Sequence, residues 1–320
     1  MRQILGEKQM KSEEPEIDYI PLVSVLMPCY NHEGYVISSL KSVAANNYRF
    51  IELIFIDDAS EDNSFKIAKK WLEDNQERFV RTVCVQHKKN LGICKTFNEL
   101  CALSNGKYIN MIASDDLLLV DAISKQVNFL SSRCVDFVFS DCLLIDQSGK
   151  QISDSMLKYF GKNREKLKRK IRLTTEIILS WNGPWNKFFM KSDLIEKIGP
   201  FDENLCFEDR DFITRVLING SFEFMADVTS AYRIRLKNLL TPGLIFEELM
   251  SDFRKADCKN YSNSSGLTKL LLGLVVYSYE ERYRELGIEN AMFIRFAILM
   301  TNCLKALVQK VHRTQVRCTF

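Results

Sequence analysis

Four times within its first 130 residues the chain follows a short apolar or β-branched run with a stretch whose apolar residues recur at helical spacing, and this alternation limits the fold more than any other feature. The runs are Leu22 to Met27, Ile51 to Ile56, Arg81 to Val85 and Tyr108 to Ala113; the predicted helices are Val36 to Ala44, Phe65 to Leu72, Ile93 to Leu103 and Leu118 to Leu130. In the first helix, apolar or small residues fall at 36, 37, 40, 43 and 44, which is one face. Strand and helix alternating at this spacing specify parallel strands joined by crossover helices. Strands this apolar need cover on both faces, and such open sheets bind ligands beyond the carboxyl ends of their strands. Those ends read Pro28-Cys29-Tyr30-Asn31, Asp57-Asp58-Ala59-Ser60, His87 to Gly92 and Ser114-Asp115-Asp116.

Beyond a further strand at Val135 to Ser140 the pattern becomes irregular. Trp181 to Trp185 and Gly199 to Asp202 carry turn chemistry, a short helix is expected after Asp209 with Phe212, Val216 and Leu217 on its buried side, and from Leu244 onward the chain reads as helical. At 320 residues and 46% apolar composition it is long enough for about two units and for a real core, which excludes disorder as the main state. A net charge of only +3 argues against nucleic acid as the partner. The charge is uneven, however. Lys158 to Arg172 carries +7 and Ala291 to Phe320 carries +5, leaving −9 over the remainder.

The ten cysteines form no Cys-x-x-Cys pair and have no histidines at zinc-ligand spacing, so metal-finger and redox readings fail. Several lie in apolar stretches, as expected of free thiols in a reducing, cytoplasmic setting. Met1 to Asp18 lacks the apolar core of a signal peptide, and the longest apolar run, Leu270 to Tyr277, is too short to span a bilayer. Any membrane contact is therefore expected from one side.

Adjacent carboxylates at a strand end repel unless a cation or hydrogen bonds offset the charge, so Asp115-Asp116 points either to a divalent ion or to a helix cap near Leu117. Asp57-Asp58 likewise admits a nucleotide contact or a cap, with Ser60 or Asp62 as the capping residue. Asn90-Leu91-Gly92 is in isolation a turn, and Glu208-Asp209-Arg210-Asp211 in isolation a charged helix start.

In combination these pieces resemble family 2 glycosyltransferases of the GT-A type, inverting enzymes that use nucleotide-sugar donors. The matching segments are Val23 to Asn31, Ile56 to Ser60, Asn90 to Gly92, Ser114 to Asp116, Gly199 to Glu203, Glu208 to Asp211 and Tyr232 to Ile234, in the family's order, between Leu22 and Arg235. The resemblance implies an α/β fold: a GT-A-like open, mostly parallel sheet with helices on both faces, plus a mainly helical C-terminal region. It divides the chain into an extension (1–20), a transferase domain (21–238, with a nucleotide-sugar half at 21–130 and an acceptor half at 131–238) and a helical region (239–320). It implies that Pro28, Tyr30, Asn31 and Asn90 line the donor site, Asp58 contacts the nucleobase, and Asp115 lies near the ribose or sugar. Asp116 is the implied ligand for Mg²⁺ or Mn²⁺ beside the diphosphate, and Asp209 the implied catalytic base. Two departures stand out: Ser114-Asp115-Asp116 replaces the frequent Asp-x-Asp, and Arg235 stands where His often follows the Tyr-Arg-Ile triplet, a change that keeps a phosphate partner with a permanent charge.

Displacement at an anomeric carbon needs a cation for the departing diphosphate and a base for the acceptor hydroxyl, which Asp116 with its metal and Asp209 would supply. No Gly-x-Gly-x-x-Gly follows the first strand, and there is neither a Walker loop nor a Gly-x-Ser-x-Gly elbow. The leading expectation is transfer of a sugar, from a UDP- or dTDP-type donor, to a glycan on a lipid carrier in surface polysaccharide synthesis. A non-catalytic nucleotide-sugar-binding assembly partner and a nucleotidyltransferase of related fold are the alternatives. Met292 to Val311 reads as a basic amphipathic helix suited either to covering the core or, with the Lys158 to Arg172 patch, to peripheral contact with the inner face of the cytoplasmic membrane.

Overall fold

The computed structural model describes residues 20–180, 183–184, 187–235 and 242–278. The four βα repeats are present as β1 (Val23–Cys29), α1 (Val36–Ala44), β2 (Ile51–Asp57), α2 (Ser64–Asp74), β3 (Arg81–Gln86), α3 (Ile93–Leu103) and β4 (Tyr108–Met111), followed by a two-residue β5 (Leu117–Leu118) and α4 (Ala122–Ser131). Then come β6 (Phe137–Ile145), β7 (Gln151–Ser153), α5 (Met156–Tyr159), α6 (Arg164–Leu167), α7 (Lys170–Leu179), β8 (Phe188–Lys191), α8 (Leu194–Ile198), α9 (Asp209–Asn219) and β9 (Phe222–Arg233). Two longer helices, α10 (Pro242–Asn263) and α11 (Gly266–Ser278), complete the described chain. The predicted helix from Leu118 starts instead at Ala122, because Leu117 and Leu118 pair antiparallel with Ala231 and Ser230 of β9.

All nine strands join one sheet in the order β3-β2-β1-β4-β8-β6-β9-β5, with β7 on β6. The β3-β2-β1-β4 half is parallel; β8 enters antiparallel to both β4 and β6, and β6 runs parallel to β9. The apolar runs read continuously, yet their side chains divide by strand periodicity. Val23, Val25 and Met27 with Ile51, Leu53 and Phe55 face α1, α2 and α4, while Leu26, Ile54 and Ile56 face α3 and the α7–α9 side. Gly106 is fixed sterically, since a Cβ there would meet the Ser24 backbone nitrogen at 2.6 Å.

A buried charge network sets the position of α9. The Arg210 guanidinium meets Asp257 of α10 at 2.9 and 3.0 Å and donates to the Ile177 and Ile178 carbonyls at the end of α7. The next residue, Asp211, accepts from Arg215 and from Asn260 of α10, both at 2.9 Å. Arg215 in turn caps the carbonyls of Ile198, Gly199 and Pro200. The first turn of α9 is thus held by α7, α10 and the Gly199 turn together. Removing one partner of a fully buried pair leaves the other charge uncompensated, so Asp257→Ala should lower unfolding free energy by about 3–5 kcal/mol, measured by urea titration. A loss below about 1 kcal/mol, the usual value for an exposed pair, would contradict this placement of α10.

Candidate active site

The loops beyond β1, β2, β3 and β4 interlock through side chain to backbone bonds. At the end of β2, Asp57 accepts from the Ser60 N–H and hydroxyl, closing a turn in which Ala59 adopts φ 61°. The Ser60 hydroxyl also accepts from the Asn31 N–H, whose residue sits at φ 55°, and the Asn31 side chain accepts from the Glu61 N–H. Neither Ser60 nor Asp62 is the N-cap of α2; Asp62 instead accepts from the Ser64 and Glu33 N–H groups, joining the two loops. Pro28 is buried within β1 opposite Ile56, whereas Tyr30 projects outward, 42% exposed.

Asp58 is fully engaged. Its carboxylate accepts from the Leu91 and Gly92 N–H groups at 2.8 and 2.9 Å and bonds His87 Nδ1 at 2.7 Å, while His87 Nε2 bonds Glu99 at 2.9 Å. Asn90 accepts from the Gly92 N–H, so this turn is held from both sides. An imidazole bridging two carboxylates must donate from both nitrogens, hence as a cation; burial opposes that charge, but the Asp58 and Glu99 bonds outweigh it and raise the His87 pKa.

At the end of β4 the two acids part. Asp116, buried, meets Lys187 Nζ at 2.5 Å and accepts from the Arg233 N–H at 2.8 Å. Burial pushes its pKa up while Lys187 opposes the shift, and Lys187, penalised by burial itself, is nevertheless raised by Asp116. Asp115 caps no helix; its side chain lies 3.0 Å from Arg235 Nε and 3.8 Å from His32 Nε2. Arg233 braces this corner, donating to the carbonyls of Asp115, Asp146 and Gln147, and the Arg233 and Arg235 guanidinium groups lie over the Tyr35 ring at 5.0 and 6.0 Å. Burial and the nearby Arg235 push His32 down to about 4, so it is neutral at ordinary pH. Among the described residues no three His, Cys, Asp or Glu side chains gather to hold a metal ion.

Glu208 and Asp209 open α9, half-buried. Burial raises both carboxyls, Glu208 further because Asp209 is beside it; the Arg210 N–H and guanidinium restrain Asp209, and Lys187 lowers both. Lys187 therefore links Asp116 electrostatically to the α9 acids. The sequence reading had not singled out His32, Tyr35, His87, Glu99 or Lys187. His87 opens the strand-end segment five residues before Gly92, which is a local signal, whereas nothing local to Lys187 foretells a partner 71 positions away.

The sequence pattern of Glycosyl transferase family 2 matches residues 24–196. An uncharacterised glycosyltransferase of Methanocaldococcus jannaschii is 28% identical over 219 residues, covering 67% of this chain and 71% of that one. The Escherichia coli UDP-Glc:alpha-D-GlcNAc-diphosphoundecaprenol beta-1,3-glucosyltransferase WfaP is 28% identical over 120 residues, 38% of this chain and 45% of its own. In fold, the chain resembles the mannosyltransferase PcManGT of Pyrobaculum calidifontis, solved with GDP-Man and Mn²⁺, at a TM-score of 0.59 and 15% identity over 93% of this chain and 81% of that one.

The His87 bridge has a consequence for stability. A histidine whose pKa rises on folding stabilises fully below its unfolded value of about 6.5, and that contribution is lost as pH rises through the higher folded value. The unfolding free energy of the wild type should therefore fall between about pH 6 and about pH 9 by more than that of His87→Gln, as read from urea titrations at both ends. Parallel pH dependence in the two proteins would show that His87 is not a cation in the fold.

Proposed function

The chain belongs to glycosyl transferase family 2, and from that premise we propose that it moves a sugar from a nucleoside-diphosphate donor to a hydroxyl of a glycan acceptor with inversion, Asp209 serving as base. Family membership makes it a glycosyltransferase, which displaces the nucleotidyltransferase and non-catalytic readings. The observation that carries the assignment of the base is the division of labour at the start of α9. Arg210 and Asp211 are consumed by buried ion pairs, so of the four charged residues Glu208 and Asp209 are the two that these pairs leave uncommitted, and both feel the charge of Lys187. Burial gives the pair a raised pKa, and a base more basic than an ordinary carboxylate is better matched to a hydroxyl proton near neutral pH. The strand-end loops bearing Pro28, Tyr30, Asn31, Asp58 and Asn90 would hold the nucleoside, with Asp58 acting chiefly by fixing the 87–92 turn.

WfaP, by its name, uses UDP-Glc and a diphosphoundecaprenol-linked sugar. That chemistry supports a UDP-type donor and a lipid-carried acceptor here, in surface polysaccharide synthesis. Among the described residues no helix is long and apolar enough to cross a membrane. Peripheral contact is supported by α11, where Leu267, Leu270 and Leu274 are 37%, 63% and 49% exposed, and by its packing on α7, whose first turn exposes Lys170, Ile171 and Arg172 of the basic segment. Met292 to Val311, the other expected contact, lies outside the described residues.

Asp209→Asn keeps the shape and removes the base, so turnover should fall by about 10² to 10⁴ with donor affinity unchanged; near-normal turnover would transfer the role to Glu208. Because the base must be ionised and its pKa is raised, kcat/KM should fall as pH drops through a limb lying above the ordinary carboxylate range of about 4. For membrane contact, the full chain should sediment with anionic vesicles at low salt and be released at high salt, and failure to sediment would remove that part of the proposal.

A further inference from the structure

The resemblance places Mg²⁺ or Mn²⁺ on Asp116, and the donor set there does not fit a dication. One oxygen of Asp116 is 2.5 Å from the Lys187 ammonium and the other accepts from the Arg233 N–H at 2.8 Å, so an ion bound to it would lie against a buried cation. The neighbouring carboxylate is balanced too, with Arg235 Nε 3.0 Å from Asp115. The position two before Asp116, where Asp-x-Asp would supply another acid, is Ser114. Carboxylates that take up a hard dication are those whose charge nothing else offsets; here two acids are matched by two cations of the chain.

We propose that Arg235 takes the place of a divalent ion at the donor diphosphate, so that nucleotide binding and sugar transfer proceed without metal. Of the cations at this corner it is the one suited to the task. Lys187 is buried against Asp116, and Arg233 is spent on three backbone carbonyls and the Tyr35 ring. Arg235 stands beside Asp115, its Nε 3.0 Å from the carboxylate but without hydrogen-bond geometry, and among the described residues its terminal amino groups make no hydrogen bond. Those groups form a planar fork that matches phosphate oxygens, and the Asp115 charge beside it keeps the side chain at this corner. The guanidinium thereby meets the negative charge that grows on the leaving diphosphate as the glycosidic bond breaks. No proton moves to or from it.

This inference rests on the nucleoside-diphosphate donor proposed above, and the test separates the two. Calorimetric titration of the full chain with UDP, and separately with GDP, is run in excess EDTA and again in excess Mn²⁺. At least one nucleotide should bind with a Kd that differs by less than about threefold between the two conditions, and Arg235→Ala should weaken it by about 10- to 100-fold, the worth of one or two charge-assisted hydrogen bonds. Arg235→Lys, which keeps the charge without the fork, should recover part of the loss. Binding that vanishes in EDTA and returns with Mn²⁺, or an Arg235→Ala variant with unchanged Kd, overturns the proposal and leaves the donor assignment intact. Binding of neither nucleotide in either condition overturns the donor assignment, and this inference with it.

Discussion

Lys187 and Asp116 hold opposite charges 2.5 Å apart, both shielded from water, and three separate stretches of chain meet through them. Asp116 follows β4, the last of the parallel strands; Lys187 precedes β8, the strand that reverses direction; the Arg233 N–H that shares Asp116 ends β9. Two buried ions repay their lost hydration only when geometry and additional hydrogen bonds are favourable, and here the Arg233 N–H occupies the oxygen that Lys187 leaves open. The contact therefore selects one docking of the antiparallel half on the parallel half. Because Lys187 also lowers Glu208 and Asp209, that docking sets the electrostatics of the α9 acids as well.

The loops beyond the parallel strands follow another rule. There the strand ends are tied to one another by hydroxyls and carboxylates accepting backbone N–H groups, with the His87 bridge between Asp58 and Glu99 beside them. Such bonds tolerate left-handed backbone at Asn31 and Ala59, a conformation costing roughly 1–3 kcal/mol outside glycine, because neighbouring loops determine it. Satisfied backbone at a strand end leaves a rigid rim, and a rigid rim loses little entropy when a ligand is seated.

How much of this could be read in advance divides along the same line. The βα repeats were legible because their periodicity is local: α1 and α3 fall where the apolar spacing put them, and Phe212, Val216 and Leu217 of α9 are buried as expected. The later strands were not. β8 is four residues long, and β9, from Phe222 to Arg233, includes Ala226, Asp227, Thr229 and Ser230, so it shows no clean alternation; its register, with two shifts against β6, is set by partners some 85 positions away. Leu117 and Leu118 looked like the start of a helix and were captured by β9 for the same reason. In the site, the sequence pointed to acids but did not distinguish which of them are already paired. Asp115 and Asp116 are adjacent letters with different fates, one turned toward Arg235 and His32, the other sealed under Lys187, and the residues that separate them lie over 70 positions away in either direction.

The α9 start shows why pairing, more than residue type, assigns chemical roles. Glu208, Asp209 and Asp211 are all carboxylates within one helical turn. Asp211 faces Arg215 and Asn260, and losing its charge would cost the Gly199 turn its brace, because Arg215 also holds three carbonyls there. A group so committed cannot take up an acceptor proton without disturbing these bonds. Asp209 has a cation on its C-terminal side, Arg210, whose own charge is already answered by Asp257, so its restraint on Asp209 is partial and burial prevails. The result is a carboxyl more basic than usual at the mouth of a helix whose remaining charges are fixed. The acid that the buried network leaves uncommitted is the one to which the proposed role of base is given, on a helix that the same network holds in place.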